Sequence, residues 1–306
     1  MTDTPHTVGC VGIAVVDYIY RVRRLPGADS KVRTPNYIAS GGGMAAGAAV
    51  AAARLGATAR WYGRLGNDTT GDEILNHLAA ERVDVSAAQR VEGVTSPHSI
   101  VLVDSEGERA IVACGTETLP DDCTWLPLRQ LEQCDVVLAD IRWIPGAVSA
   151  FRAARRARIP CVLDGDSTTD TNATEAVRWA SHAIFSRQGL SDIYGATCIQ
   201  SGLQAAHEHA PFVAVTLGED GVAWLDDGGT LRQLRPPPVT ALETLGAGDV
   251  FHGAFASALA RQLSEPEALR YACAAAALKC AGTGGWDSFP EQHQVDELLA
   301  NWHSER

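Results

Sequence analysis

The stretch ETLGAGDVFHGAF, residues 243–255, sets Gly246, Ala247 and Gly248 in front of an apolar, helix-like run. Backbone N–H groups with so little side chain over them can approach a phosphoryl group, and the N-terminal end of the following helix adds its positive dipole. Asp249 stands at the same mouth. A backbone that attracts an anion has no use for a carboxylate there unless it does chemistry. The plainer alternative is a helix-start acid that only complements the dipole. Two further stretches carry close-approach glycines. GGGMAAGAAVAAARLG at 41–56 begins as a loop at Gly42 and Gly43 and becomes an Ala-rich helix ending at Gly56, while TLGEDG at 216–221 reads as a strand end and turn.

These groups need a scaffold, and the hydrophobic pattern supplies one. VGCVGIAVV at 8–16 reads as one buried strand. From about residue 134 strands and helices alternate: CDVVLAD, GAVSAFRAARRARI, PCVLDGD, EAVRWAS, HAIFS, GLQAAHEHA and FVAVTLG. That alternation predicts a parallel sheet covered by helices on both faces. GVAWLDDGGTLRQLR then reads as a hairpin, and VFHGAFASALARQL with PEALRYACAAAALKCAG as two consecutive helices. Two segments break the alternation, about 17–43 and 96–117, the latter a hairpin about SEG. They are expected to form a small β lid inserted in one domain that spans 1–306.

Composition narrows the function. A net charge of −12 over 306 residues opposes generic binding to nucleic acid or to an anionic membrane. No apolar run approaches the ~20 residues of a membrane span, and the N-terminus lacks the basic flank and cleavage site of a signal peptide, so a cytoplasmic protein is expected. The eight cysteines form no C-x-x-C pair and read as small core residues. Arg21, Arg23, Arg24, Lys31 and Arg33 cluster between Asp17 and Pro35, either as a solvated face or as a local site for a small anion.

GGGMAAGAAVAAARLGA, GRLGNDTTGDEIL, VAVTLGEDGV and ETLGAGDVFHGAF, in this order and spacing, resemble the ribokinase-like (PfkB) carbohydrate kinases over essentially the whole chain. The resemblance implies a three-layer α/β/α fold with a mostly parallel central sheet and a small β lid, and an ATP-dependent kinase that uses Mg2+ and a small sugar. It makes Asp249 the base, with Gly246, Ala247 and Gly248 as the anion hole, and an ionised carboxylate there is expected to keep a low pKa. By the same resemblance Thr216, Gly218, Gly221, Ala277, Cys280 and Gly282 border ATP, and Asp17, Gly42 and Gly43 hold the sugar.

Departures from the family pattern matter too. Glu243 replaces an Asp and is assigned an indirect role at the metal–phosphate site. The N-x-x-E that supports the water shell of Mg2+ falls where Ser186 and Gly189 stand, and Gly47 replaces a sugar-binding Asn. Within the family the resemblance extends furthest to bacterial sulfofructose kinases, which phosphorylate 6-deoxy-6-sulfofructose on O1; it rests on VGCVGIAVVDYIY, DVVLADIRW, VLDGD and FSRQGL. It implies that Lys31 and Arg142 contact a distal anionic group, although Ala113 stands where those kinases have an Asn. The alternatives are another sugar (2-keto-3-deoxygluconate, a ketose phosphate, fructose or ribose) or a catalytically weak sugar- or nucleotide-binding regulator. A homodimer paired through the lid is expected.

Overall fold

The computed structural model describes residues 6–106 and 108–302. Its main sheet runs in the order β14-β13-β12-β11-β10-β9-β1-β4. The strands are β1 (Thr7–Val11), β4 (Thr58–Tyr62), β9 (Val136–Asp140), β10 (Cys161–Gly165), β11 (His182–Ser186), β12 (Phe212–Thr216), β13 (Val222–Leu225) and β14 (Leu231–Leu234). From β12 to β4 every pairing is parallel, and β13 and β14 close one edge as an antiparallel hairpin.

Alternate residues of these strands feed two separate cores, as a sheet buried on both faces requires. Val8, Cys10, Leu138, Ile184 and Ala214 pack against α1 (Met44–Arg54), α2 (Thr69–Ala80), α8 (Ala247–Ala260), α9 (Glu265–Ala281) and α10 (Gln292–Asn301). Val11, Val137, Leu163, Phe185 and Val213 pack on the other side, with α3 (Leu128–Leu131), α4 (Ile144–Ala157), α5 (Ala173–Trp179), α6 (Arg187–Tyr194) and α7 (Ile199–His207). The result is the three-layer α/β/α arrangement expected from the alternation.

A second sheet, in the order β3-β2-β7-β8, is built from β2 (Val15–Arg21), β3 (Ile38–Gly42), β7 (His98–Val103) and β8 (Arg109–Cys114). It occupies both segments read as the lid. A short parallel pair, β5 (Arg64–Gly66) and β6 (Gln89–Val91), stands apart. One expectation is corrected here. VGCVGIAVV is not one strand: the chain leaves the main sheet after Val11 and enters the lid at Val15. Gly12 makes this possible with φ +150, where an added Cβ would run into the Asp140 carboxyl.

Candidate active site

The parallel strands end on one side of the sheet, and the candidate groups gather there. Helix α8 begins at a left-handed Gly246, φ +80, a conformation that glycine adopts at little cost. An added Cβ at Gly246 would also press on the Phe289 ring at 3.1 Å. At Gly248 an added Cβ would meet nothing within 4 Å, so open space lies before the first turn of the helix. The Ala247 N–H donates to Thr244 O at 3.2 Å and closes that turn. Of the three residues read as an anion hole, Gly248 is therefore the one that faces room for a ligand.

Asp249, in the first turn, lies over α1, where a Cβ at Gly47 would come within 2.5 Å of its Oδ2. This explains the departure at Gly47: the carboxyl occupies the space a side chain would need. Burial pushes the Asp249 pKa well above the usual carboxylate range, and the neighbouring Asp164, Asp17, Asp140 and Asp166 push it further. The expected low pKa is thus reversed, because burial first, and then the acids around this site, outweigh the helix dipole.

Those acids are strand-end residues with different partners. Asp140, at the end of β9, accepts three backbone N–H bonds, from Ile13 (2.7 Å), Ala45 (3.1 Å) and Arg142 (2.9 Å). It braces the β1–β2 crossing to the start of α1. Asp164 on β10 pairs in register with Asp140 and sits 3.3 Å from His252 Nδ1. His252 also approaches Gly248 O (2.8 Å) and Ile184 O (3.3 Å), so this ring pins the first turn of α8 to the sheet. Burial pushes the Asp164 pKa well up, and Asp166 and Asp140 add to it.

Where the sugar is expected, Asp17 of β2 accepts a hydrogen bond from Ser99 Oγ, and burial raises its pKa. A Cβ at Gly42 would strike this carboxyl, and Gly43 turns into α1 with φ +94. Arg142 donates to Ser167 O (2.7 Å) and to Asp166 (3.2 Å), which places a guanidinium beside the acid group. Lys31 is not brought there. It is exposed and lines a groove of about 310 Å³ with Tyr20, Val22, Pro26 and Leu102. Tyr20 and Leu102 alternate along their strands with Ile19 and Val101, on the face opposite Asp17. Ala113 is exposed and pairs across the lid with Ser99.

Where the nucleotide is expected, Thr216 closes β12 with its hydroxyl on Phe185 O, and Gly218 opens onto free space at φ +64. Gly221, φ +86, packs under Leu234 O too closely for a Cβ. Cys280 O accepts Leu242 N (2.7 Å) and Glu243 N (3.2 Å), Gly282 lies against Ser288, and Ala277 is buried in α9. These positions bind the end of α9 to the loop that feeds α8.

Glu243, expected to act indirectly at the metal–phosphate site, is engaged by protein groups. Its carboxylate is occupied by Lys279 Nζ (3.0 Å), Gly285 N (3.1 Å), Gly284 N (3.4 Å) and Arg21 from the lid (3.5 Å). Burial would raise its pKa, but Lys279 and the two N–H groups lower it overall. Ser186 and Gly189 have a local explanation as well: Ser186 caps α6 by accepting Gly189 N at 2.9 Å, and Gly189 lies against Gly165 O where no Cβ fits. Sequence reasoning passed over Asp140, Asp164, Asp166, His252 and Lys279. The available signals were acids at the ends of VVLAD and VLDGD and a single lysine within AAAALKC.

Comparison with known proteins shows similarity in sequence and fold along nearly the whole chain. The family model described as pfkB family carbohydrate kinase matches residues 5–292. The ribokinase of Bacillus subtilis (strain 168) is 28% identical over 294 residues, covering 95% of this chain and 98% of its own. The solved structure of a provisionally assigned ribokinase from Agrobacterium tumefaciens superposes with a TM-score of 0.90 at 32% identity, covering 98% of this chain and 99% of that one. Arabidopsis thaliana ribokinase, solved with ribose and ATP, gives 0.86 at 25% identity, covering 97% and 99%.

Proposed function

The chain belongs to the pfkB family of carbohydrate kinases, ATP-dependent sugar phosphotransferases, and from that premise we propose how its own residues carry the reaction. The observation that carries the reading is Asp249 at the open N-terminus of α8, within the field of Asp17 on the lid. Asp17 and the Gly42–Gly43 backbone hold the sugar hydroxyls. The phosphoryl group enters the space before Gly248, where the helix end stabilises its charge. Asp249 accepts the proton of the attacking hydroxyl. In the free protein burial first, and then the surrounding acids, favour its protonated form.

Mg2+ would come with the nucleotide and neutralise phosphate charge. Among the described residues no three His, Cys, Asp or Glu side chains converge on a metal site, which suits an ion held mainly by phosphate and water.

The substrate is proposed to be a ketose with an anionic far end, first 6-deoxy-6-sulfofructose giving its 1-phosphate. Arg142 supports this, as a cation at the cleft able to form charge-assisted bonds. A neutral sugar such as ribose is the second reading, favoured by the outward position of Lys31. A turnover panel with Mg-ATP tests both, using sulfofructose, fructose 6-phosphate, tagatose 6-phosphate, 2-keto-3-deoxygluconate, fructose and ribose. A preference for ribose or fructose, unchanged in Arg142→Ala, would sink the anionic reading. Asp249→Asn is expected to lose at least ~100-fold in kcat while still binding nucleotide. We also propose a homodimer through the lid, where Ile100, Ile111 and Val112 are 43%, 55% and 67% exposed; light scattering that gives a monomer mass at working concentration would refute it.

A further inference from the structure

The sequence contains two lysines against a Lys+Arg total of 25. Lys31 is exposed, and Lys279, near the end of α9, has 0% of its surface accessible. A chain that uses arginine almost everywhere keeps a compact ammonium at its most buried basic position. A long flexible cation is rarely buried without a specific task.

The surroundings of Lys279 point to that task. Its Nζ donates to Glu243 Oε1 at 3.0 Å and to Glu243 O at 3.4 Å, gripping both the side chain and the backbone of the residue that opens the phosphate loop. Glu243 is held on its other sides by Gly284 N and Gly285 N, and Arg21 reaches it from the lid. The Lys279 chain itself runs beneath the loop, with Cε 3.8 Å from where a Cβ of Gly246 would stand. Three residues, Glu243, Gly246 and Lys279, therefore form a rigid wedge behind the N-terminus of α8.

We infer that Lys279 is a positioning residue for phosphoryl transfer. Through Glu243 it fixes the loop that aims Gly248 at the transferred group. Lysine suits this place because its point charge fits under Gly246, where a planar guanidinium would displace the loop. The length of Glu243 is part of the same arrangement: its carboxylate spans from the ammonium to the 284–285 backbone. The inference rests on the kinase reading above, and its test is arranged so that the two can fail separately.

The variants are K279M, K279R and K279A, with thermal melting as the check on folding. K279M is expected to lower kcat about 10-fold or more while sugar KM stays within about two-fold. K279R should behave like K279M, although it keeps the charge. In K279A, n-propylammonium should restore turnover and n-propanol of the same shape should not. If K279M does not fold, K279M/E243Q, which leaves no unpaired charge, takes its place. Wild-type kcat in a folded K279M, or a loss in K279A that n-propylammonium leaves untouched, overturns the inference. If the wild-type chain phosphorylates no sugar in the panel, the kinase reading falls and Lys279 is judged by binding alone. K279M should then weaken AMP-PNP about five-fold or more and leave adenosine unchanged; equal affinity for AMP-PNP overturns the inference.

Discussion

Burial, and after it the field of four other aspartates, sets how the charge of Asp249 responds to pH. Its raised pKa means the free protein holds it protonated at pH values where an ordinary carboxylate is ionised, so the acid limb of kcat/KM should lie above the usual carboxylate range. Asp164 is the first of the charged neighbours that raise it. Asp164→Asn removes that charge, which favours ionised Asp249 and should move the acid limb to lower pH in a pH–rate profile. An unmoved limb would assign Asp164 to structure alone, through His252. Asp249 was legible in the sequence because its glycines and helix adjoin it along the chain. Asp164 and Asp140 were not, since each reads locally as a strand end and only the β9–β10 register brings them side by side. The direction of the Asp249 pKa was misread for the same reason: the burial that chiefly raises it, and the acids that add to it, come from residues far away along the chain.

Helices α1 and α8 carry the two glycine-bearing termini of the site, and their mutual packing fixes the distance between them. Gly253 of α8 faces Ala48 O and lies 2.9 Å, by its absent Cβ, from Ala51 Cβ. Only small residues let the two backbones come this close. Gly253→Val is expected to cost about 1–3 kcal/mol in a denaturant midpoint and to lower kcat by shifting Asp249 relative to Asp17. Retained stability with full kcat would show that the helices have slack. Such close packing was legible in the composition of GGGMAAGAAVAAARLG, where twelve of the sixteen residues are Gly or Ala. The break at Gly12 was not legible, because the main-sheet and lid portions of VGCVGIAVV are both apolar and periodicity does not register a change of sheet. The conformation that breaks the strand is set against Asp140, which lies on a different strand far along the chain.

For the molecule as a whole, this concentration of acid is a cost in stability that the function explains. Asp17, Asp140, Asp164 and Asp249 all have pKa values raised above that of an ordinary aspartate, chiefly by burial. A carboxyl raised in the folded state binds more protons there than in the unfolded chain, so stability falls as pH rises from about 4, the unfolded value, through the folded one. Glu243, lowered by Lys279, has the opposite sign and loses its contribution only in acid below the usual glutamate range. His182 and His252, held neutral by burial, also disfavour the fold on acidification. Wild-type melting against pH therefore mixes opposing slopes, but a single substitution isolates one of them. Asp249→Asn cannot ionise, so it should melt above wild type at pH 8, with the gain shrinking toward pH 5 and vanishing below the unfolded pKa. A gain independent of pH would trace the effect to packing against Gly47, and no gain at pH 8 would mean that Asp249 is not held at the cost of stability.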